Sequence, residues 1–412
     1  MKIGIIGSGI IGLSSAYYLQ KSGHEVTVID QSDLSDGCSY GNAGMIVPSH
    51  FIPLAAPGMI SKGIRWMFNS SSPFYVKPTL DFGLLKWGIQ FYKHSNHRHV
   101  EKSAVALKEI SLLSKAMYQQ LKRDLPFDFD YQERGLMMLY KTKEAEHEER
   151  ESAAMANNYG IDARILSLNE VQGMEPEVKV NVRGGIYFPG DAHLTPHVFM
   201  RGLKDHLKSK ISFQSNTQVT DFSIDNKKLK TVNTSKGEFT FDQLVIACGS
   251  WSGDVARRLN LNLPMQAGKG YSFTLEGVAK NIRIPSILLE GRVAVTPMGG
   301  SLRFGGTMEI TGIDHSINMN RVKGIVNTAN DFYPEMKLES PSVEKIWHGL
   351  RPCSPDGLPY IGRTKKFDNL ILATGHSMLG VSLGPGTGKL ISEIVEEKKL
   401  GMDLRMFDPE RF

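Results

Sequence analysis

At 412 residues the chain is long enough for roughly two domains of ordinary size, each with its own core. Hydrophobic content of 41%, charge of 22% and 41 glycines describe a globular protein whose backbone is held close to a ligand. A scattered net charge of +5 makes no case for nucleic acid, and Cys38, Cys248 and Cys353, far apart and odd in number, argue against a disulfide framework and a zinc site, so no metal is expected.

Residues 2–6 (KIGII) read as a short buried strand, 10–21 as a helix and 25–30 (EVTVID) as a second strand, the opening of a parallel sheet. Because the first apolar run leads straight into a glycine turn, it is not expected to be a basic-then-apolar leader. Residues 37–57 are rich in Gly, Pro, Ser and Asn without periodicity, which predicts an ordered, ligand-contacting loop. The apolar stretch 53–74 is broken by Pro, Gly, Lys, Arg and Ser, and no stretch reaches the roughly 20 apolar residues of a bilayer span. The expected location is therefore cytoplasmic, with peripheral contact at the inner face of the membrane left open.

Helices are expected over 84–95 and 100–125, a strand over 134–141 and a charged, solvated helix over 143–159. Short strands follow at 185–188, 212–214, 229–233 and 238–240, and a buried strand at 241–247 (FDQLVIA) returns to the first sheet. Alternating segments at 270–275, 292–297 and 301–307 predict a largely antiparallel second domain. A last buried strand at 369–374 (NLILAT) leads through a glycine turn into a helix from about 380 to 396.

Gly7-Ser8-Gly9-Ile10-Ile11-Gly12 sits directly after a strand and opens a helix. Gly7 permits the tight turn, Gly9 admits a pyrophosphate and Gly12 lets helix and strand pack closely, while the helix N-terminus offers NH groups to the anion. Asp30 ends the next strand, where a carboxylate meets the hydroxyls of an adenosine ribose, and no nearby arginine suggests a 2'-phosphate. This unit predicts dinucleotide binding and leaves FAD and NAD as alternatives.

The loop Cys38-Ser39-Tyr40-Gly41-Asn42-Ala43-Gly44-Met45 narrows the choice. Together with Ala55-Ala56-Pro57-Gly58, Trp347-His348-Gly349-Leu350-Arg351-Pro352, Pro355-Asp356-Gly357, Thr374-Gly375-His376 and Leu379-Gly380, it resembles the D-amino-acid oxidase superfamily of flavoproteins. Within that superfamily the order of motifs is most similar to the small-subunit type of D-amino-acid dehydrogenase, nearly end to end. The resemblance implies non-covalent FAD on a Rossmann-like domain, a second domain roofing the flavin, and a substrate between them. The expected fold class is α/β: residues 1–80, 145–255 and 340–412 form the FAD-binding domain, and 81–144 and 256–339 form an α+β substrate domain on a mainly antiparallel sheet.

Ser39, Asn42, Ala43, Gly44 and Met45 are expected along the pyrophosphate and flavin ring, where small residues let the ring come close. Gly249 and Trp251 follow a buried strand and would line the crevice at strand C-termini. Gly375, Met378, Leu379, Gly380 and Val381 would present a helix N-terminus to the flavin, whose pyrimidine side gains negative charge on reduction. Ile10, Ile11, Gln31 and Val219 complete the expected cofactor contacts.

Arg351 is expected to fork onto a substrate carboxylate, and Tyr271, at a family position near the substrate, to donate a hydrogen bond to the same group. His50, His348 and His376 rank behind them, since a lone histidine in a turn is usually a satisfied polar residue. Some relatives tether flavin through a cysteine upstream of a Pro-Asp pair, but Cys353 lies closer to Pro355 than that pattern requires. Gly190-Asp191-Ala192-His193-Leu194 departs from the dehydrogenase pattern, which bears on substrate preference.

The expected reaction is dehydrogenation of a small amino acid, either a D-amino acid or a D-proline- or hydroxyproline-type imino acid. The zwitterion loses an ammonium proton, hydride passes from the α-carbon to flavin, and the imine hydrolyses, with no dedicated side-chain base. The alternatives are an oxygen-using glycine- or sarcosine-type oxidase, a non-catalytic FAD-binding redox protein, and an NAD-dependent dehydrogenase. The electron acceptor, whether quinone, electron-transfer protein or oxygen, is open.

Overall fold

A computed structural model describes residues 1–58, 73–76 and 81–412. Most of the broken apolar stretch 53–74, for which contact with a membrane surface was left open, lies outside the described residues.

The first strand, Lys2–Ile6, is followed by the helix Ile10–Lys21 and the strand Glu25–Ile29, as the alternation of apolar runs requires. Four of the five residues of that first strand are buried, as a strand with covered faces must be. It lies inside a six-stranded sheet ordered Tyr360–Arg363, Leu370–Thr374, Gln243–Ile246, Lys2–Ile6, Glu25–Ile29, Ser212–Gln214. All neighbours are parallel except Tyr360–Arg363 against Leu370–Thr374. The strands at 243 and 370 therefore return to the sheet begun at residue 2.

Two helices cover this sheet in direct contact. Gly384 and Gly388 of the helix Gly380–Val395 meet Ile10 and Ser14 of the first helix so closely that a Cβ at Gly388 would lie 2.5 Å from the Ser14 carbonyl carbon. Gly386, between them, abuts Ser114 of the long helix His97–Asp124. Glycines at these positions set the approach of three helices and so the position of the Gly380 end.

The second sheet has nine strands among the described residues and is mainly antiparallel; its ordered run is Trp347–Cys353, Gln266–Leu275, Ser301–Ile310, Val293–Met298, Ser286–Leu288, Leu136–Tyr140, Gly184–Phe188, Arg164–Ser167. Ser286–Leu288 runs parallel to Leu136–Tyr140, and the short Phe74–Val76 parallel to Ser301–Ile310. This sheet draws strands from both sides of the division expected at residue 145: Arg164–Ser167 and Gly184–Phe188 belong to it, while the helix His97–Asp124 packs on the first sheet's helices. The helix Met319–Phe332 backs the second sheet with Val322, Ile325 and Ala329 buried.

Candidate active site

A cavity of about 790 Å³ runs from the turn after the first strand, past the C-terminal ends of the parallel strands, to the strand Trp347–Cys353 of the second sheet. Such a crevice is where doubly wound sheets bind ligands. Gly7 has φ +107, and a Cβ on Gly12 would collide with the Gly7 carbonyl, so both glycines are demanded by the turn itself. Gly9 differs: a Cβ there would meet only Ser39 Oγ, at 3.6 Å, and the space in front of it is cavity. Nothing among the described residues requires glycine at Gly9, which fits a pyrophosphate approaching the backbone.

Asp30 lines the same end beside Gln31 and Val219. Its Oδ2 accepts from Ser8 N and Ser8 Oγ, both at 2.7 Å, and its Oδ1 from Ser32 N and Oγ, both at 2.8 Å. The carboxylate thus holds the glycine turn closed, and rotation of the two hydroxyls frees lone pairs for a ribose diol. Ser39 Oγ accepts from Ile10 N at 3.0 Å, satisfying one free NH at the start of the first helix.

The loop carrying Ser39, Asn42, Ala43 and Met45 borders the cavity and is fastened to the second sheet. Arg303 Nη1 donates to the carbonyls of Tyr40 and Asn42 at 3.0 and 2.9 Å, Ser272 Oγ donates to Gly41 O at 2.8 Å, and Gly41 lies flat against the Trp347 indole. Asn42 Oδ1 accepts from Gly44 N, and Gly44, at φ +73, packs on Leu194 O away from the cavity. Burial lowers the Arg303 guanidinium to about 10. Arg303 was not anticipated, although a cation between Leu302 and Phe304 in a strand is the signal that marks it.

Met378, Leu379, Gly380 and Val381 bring the N-terminus of the Gly380 helix to the cavity wall, and Gly249 and Trp251 line it beside the strand Gln243–Ile246. Gly375, at φ +79 against Tyr360, serves the turn and does not reach the cavity, nor does Gly12. His376 is buried, with Nε2 3.0 Å from Thr387 Oγ1, and burial pushes its imidazole down to about 3, so it stays neutral. Cys353 is fully buried among Trp87, Met308 and Ile310 and does not border the cavity. Asp356 Oδ2 and Oδ1 take Arg411 Nε and Nη2 at 2.6 and 3.0 Å, so the Pro355-Asp356-Gly357 motif anchors the C-terminal segment.

Arg351 lies in the cavity wall with Gly270 beneath it, where any Cβ would strike the guanidinium. Its Nη1 donates to Thr307 O at 2.8 Å, and among the described residues no carboxylate pairs with it. Burial lowers its pKa, an unfavourable setting for a lone cation. Thr307, a β-branched residue at φ +65, turns its carbonyl to Arg351 from a bulge in the strand pairing.

Tyr271 also borders the cavity, but the structure does not bring its hydroxyl to Arg351. The oxygen accepts from Asn318 N at 3.1 Å, and Tyr271 pairs with His348 on the face opposite to the Gly268–Arg351 pair. On that face His348 Nε2 lies 3.1 Å from His315 Nδ1, with Trp251 stacked on His315. Ser8, Thr307 and His315 are further cavity residues that the sequence did not single out.

The residues present fit FAD: a glycine cradle for the pyrophosphate, a carboxylate at the ribose end and a helix N-terminus at the ring end. Over residues 2–394 the chain matches the DAO family, described as FAD dependent oxidoreductase. It is 32% identical over 406 residues to a D-amino acid dehydrogenase of Neisseria meningitidis serogroup C, covering 97% of this chain and 96% of the relative. A D-amino acid dehydrogenase of Bradyrhizobium diazoefficiens is 30% identical, covering 100% of this chain and 99% of the relative. Among solved structures, glycine oxidase from Geobacillus kaustophilus superposes with a TM-score of 0.80 at 24% identity, covering 100% and 98% of the two chains. L-proline dehydrogenase from P. horikoshii superposes at 0.77 with 18% identity, covering 100% and 97%. The expected α/β fold, with its second mainly antiparallel sheet, is that of these flavoenzymes, and the chain belongs to the DAO family of FAD-dependent oxidoreductases.

Proposed function

We propose that the protein dehydrogenates a small amino acid, of D configuration or of the cyclic proline type, with Arg351 holding the substrate carboxylate. The observation that carries this reading is the half-buried Arg351 guanidinium in the cavity wall, with one backbone acceptor and no carboxylate partner among the described residues. An anion from outside the chain completes it, and two parallel N–H donors fix a carboxylate in orientation as well as in charge. The names of the relatives, D-amino acid dehydrogenase at 30–32% identity over nearly the whole chain, support the same substrate class.

Bound FAD supplies the two-electron acceptor. The chain's own residues position the substrate and exclude water, with apolar side chains of Val47, Met138, Ile287 and Ala294 in the wall. Attachment is non-covalent in this reading, because Cys353 is buried away from the cavity. An anaerobic screen of D- and L-amino acids, N-methyl amino acids and proline analogues for flavin bleaching tests the proposal; bleaching only by N-methyl glycines, with peroxide formed in air, would favour a sarcosine-type oxidase.

For the electron acceptor we propose a membrane quinone, reached by peripheral contact at the cytoplasmic face. No helix among the described residues is long and apolar enough to cross a membrane. The helix Phe82–His94, however, exposes Phe82, Leu85, Ile89 and Tyr92 along one stripe, with Lys86 and Lys93 beside it. An apolar ridge with cations suits a lipid interface. Negligible peroxide alongside reduction of a soluble quinone analogue is the expected result.

A further inference from the structure

Ser49 and His50 close the loop that follows the cofactor-facing segment, and Asp191 lies in the turn between Gly184–Phe188 and Ala192–His193. Asp191 is 1% exposed, and one residue occupies both its oxygens: Oδ1 accepts from Ser49 N at 3.1 Å and Oδ2 lies 2.5 Å from Ser49 Oγ. Ser49 Oγ is in turn 3.0 Å from His50 Nδ1. His50 borders the cavity, and its Nε2 makes no hydrogen bond among the described residues.

A hydroxyl carries one proton, which fixes the tautomer of the histidine. When Ser49 donates to an ionised Asp191, His50 Nδ1 must donate to Ser49 Oγ, leaving Nε2 a lone pair. When Asp191 holds a proton, it donates to Ser49, Ser49 donates to Nδ1, and Nε2 bears hydrogen. The two arrangements differ by one proton at each end of the chain, and neither requires a charged imidazole.

We propose that His50, Ser49 and Asp191 form a proton relay in which His50 Nε2 takes the ammonium proton of the substrate while Asp191 becomes protonated. The proposal rests on the amino-acid dehydrogenase reading above. In the step, the substrate N–H bond breaks and Nε2–H forms; Nδ1–H breaks and a new Ser49 O–H forms; the former Ser49 proton passes to Asp191 Oδ2. The amine keeps its lone pair, the Cα–H then leaves with both electrons to bound flavin, and the substrate departs as the iminium. The relay resets in reverse: the Nε2–H proton leaves to water in the cavity, the Ser49 proton returns to Nδ1 and the Asp191 proton returns to Ser49 Oγ. His50 is the catalytic residue here, and Ser49 and Asp191 are positioning residues that act through it.

The surroundings suit neutral relay chemistry. Burial first, and then the Arg292 guanidinium beside it, hold the His50 imidazole down to about 4, so it does not store the proton as imidazolium. Burial pushes Asp191 up to about 7, against the pull of its Ser49 bonds and of Lys115, whose Nζ donates to Gly190 O at 2.8 Å. Tyr187, across from Asp191, is neutral, its phenol raised mainly by burial. His50 and Arg351 line the same cavity.

The test uses FAD-loaded full-length protein labelled with ¹⁵N-histidine, with the His50 signals assigned by their loss in His50→Gln. From about pH 5.5 to about 9, Nε2 is expected to change from protonated to unprotonated in the wild type, and to hold one state in Asp191→Asn and Ser49→Ala. In anaerobic rapid mixing with an amino acid that bleaches the wild-type flavin, the reduction rate should rise with pH in the same range. Both variants should lose that rise and fall about tenfold at high pH, with substrate Kd unchanged. Retention of the tautomer change and the rate step in both folded variants overturns the relay. Absence of bleaching by any amino acid in the wild type would instead sink the dehydrogenase reading and the catalytic role built on it, whatever the tautomer does.

Discussion

Arg351 and Tyr271 stand on opposite faces of one antiparallel ladder: Arg351 pairs with Gly268 and Tyr271 with His348, three rungs along. In the proposed reading Arg351, and not Tyr271, holds the carboxylate, because the Tyr271 oxygen accepts from Asn318 N. Arg351→Ala is expected to retain FAD and to weaken substrate by roughly 2–5 kcal/mol, the cost of removing one partner of a buried charge pair. Tyr271→Phe should cost about 1 kcal/mol of stability and leave substrate affinity within about twofold. Anaerobic titration of flavin bleaching reads both, and an equal loss in the two variants would show that the phenol shares the carboxylate.

Two glycines of the first turn should fail differently. A Cβ at Gly12 meets the Gly7 carbonyl inside the protein, so Gly12→Ala strains the fold itself by about 1–3 kcal/mol or more. A Cβ at Gly9 meets nothing closer than Ser39 Oγ at 3.6 Å, so Gly9→Ala should leave the apoprotein's Tm unchanged and weaken FAD binding. Comparing apo and FAD-loaded melting curves separates the two. A fall in the apo Tm of Gly9→Ala comparable to that of Gly12→Ala would remove the distinction.

What was legible in the sequence was local. The strand, glycine turn and helix through Lys21 follow from runs and spacings within a few residues, and the helix Ile10–Lys21 has the bounds its pattern predicts. The ring-end helix at Gly380 is legible for the same reason. Across the chain, the return of the buried strand Gln243–Ile246 to the first sheet was legible, and most other partnerships were not. Nothing within Arg164–Ser167 or Gly184–Phe188 says which sheet will take them, because a short strand's partner is chosen by tertiary packing. Ser49 and Asp191 are 142 positions apart, and although the segment around Asp191 stood out, nothing in it names Ser49 as its partner. Arg351 was legible by its motif, whereas its isolation from Tyr271 depends on strand register, which motifs do not encode.

Glu175 should make stability depend on pH in an unusual direction for a carboxylate. It is fully buried, accepting from Arg283 N and Ile284 N at 2.7 and 2.8 Å, and burial pushes it up to about 7. Between its unfolded value and about 7 the folded state holds a proton that the unfolded state has lost. The contribution is therefore complete below about pH 4.5 and disappears as pH rises through 7, about 3 kcal/mol in all. Glu175→Gln cannot titrate, so its Tm should fall less than that of the wild type between about pH 5 and 7.5. Parallel Tm curves would place the Glu175 carboxyl near its ordinary value.

The ridge on the helix Phe82–His94 predicts lipid binding without effect on the redox centre. Leu85→Glu with Ile89→Glu should cut sedimentation with anionic vesicles about tenfold and leave amino-acid bleaching of flavin unchanged. Binding by the wild type should weaken with salt, because Lys86 and Lys93 contribute through screened charge. Wild-type protein that stays in the supernatant with vesicles at low salt would rule out this surface as a lipid contact.

Arg303 ties the cofactor loop to the second sheet and offers the sharpest separation of cofactor from substrate effects. Its Nη1 serves the Tyr40 and Asn42 carbonyls and its Nε the Thr274 hydroxyl at 3.0 Å, all in a buried setting. Arg303→Met keeps much of the volume but leaves two loop carbonyls without a donor, at roughly 1–3 kcal/mol each if water cannot reach them. The loop that carries Ser39 and Ala43 should then loosen. FAD affinity, followed by flavin fluorescence on dilution, is expected to drop about tenfold or more, since 1.4 kcal/mol is one decade. Arg351 hangs on Thr307 rather than on this loop, so the substrate Kd measured at saturating FAD should hold within about twofold. A variant with normal FAD affinity would show that the loop keeps its shape through Ser272 and the Trp347 contact alone.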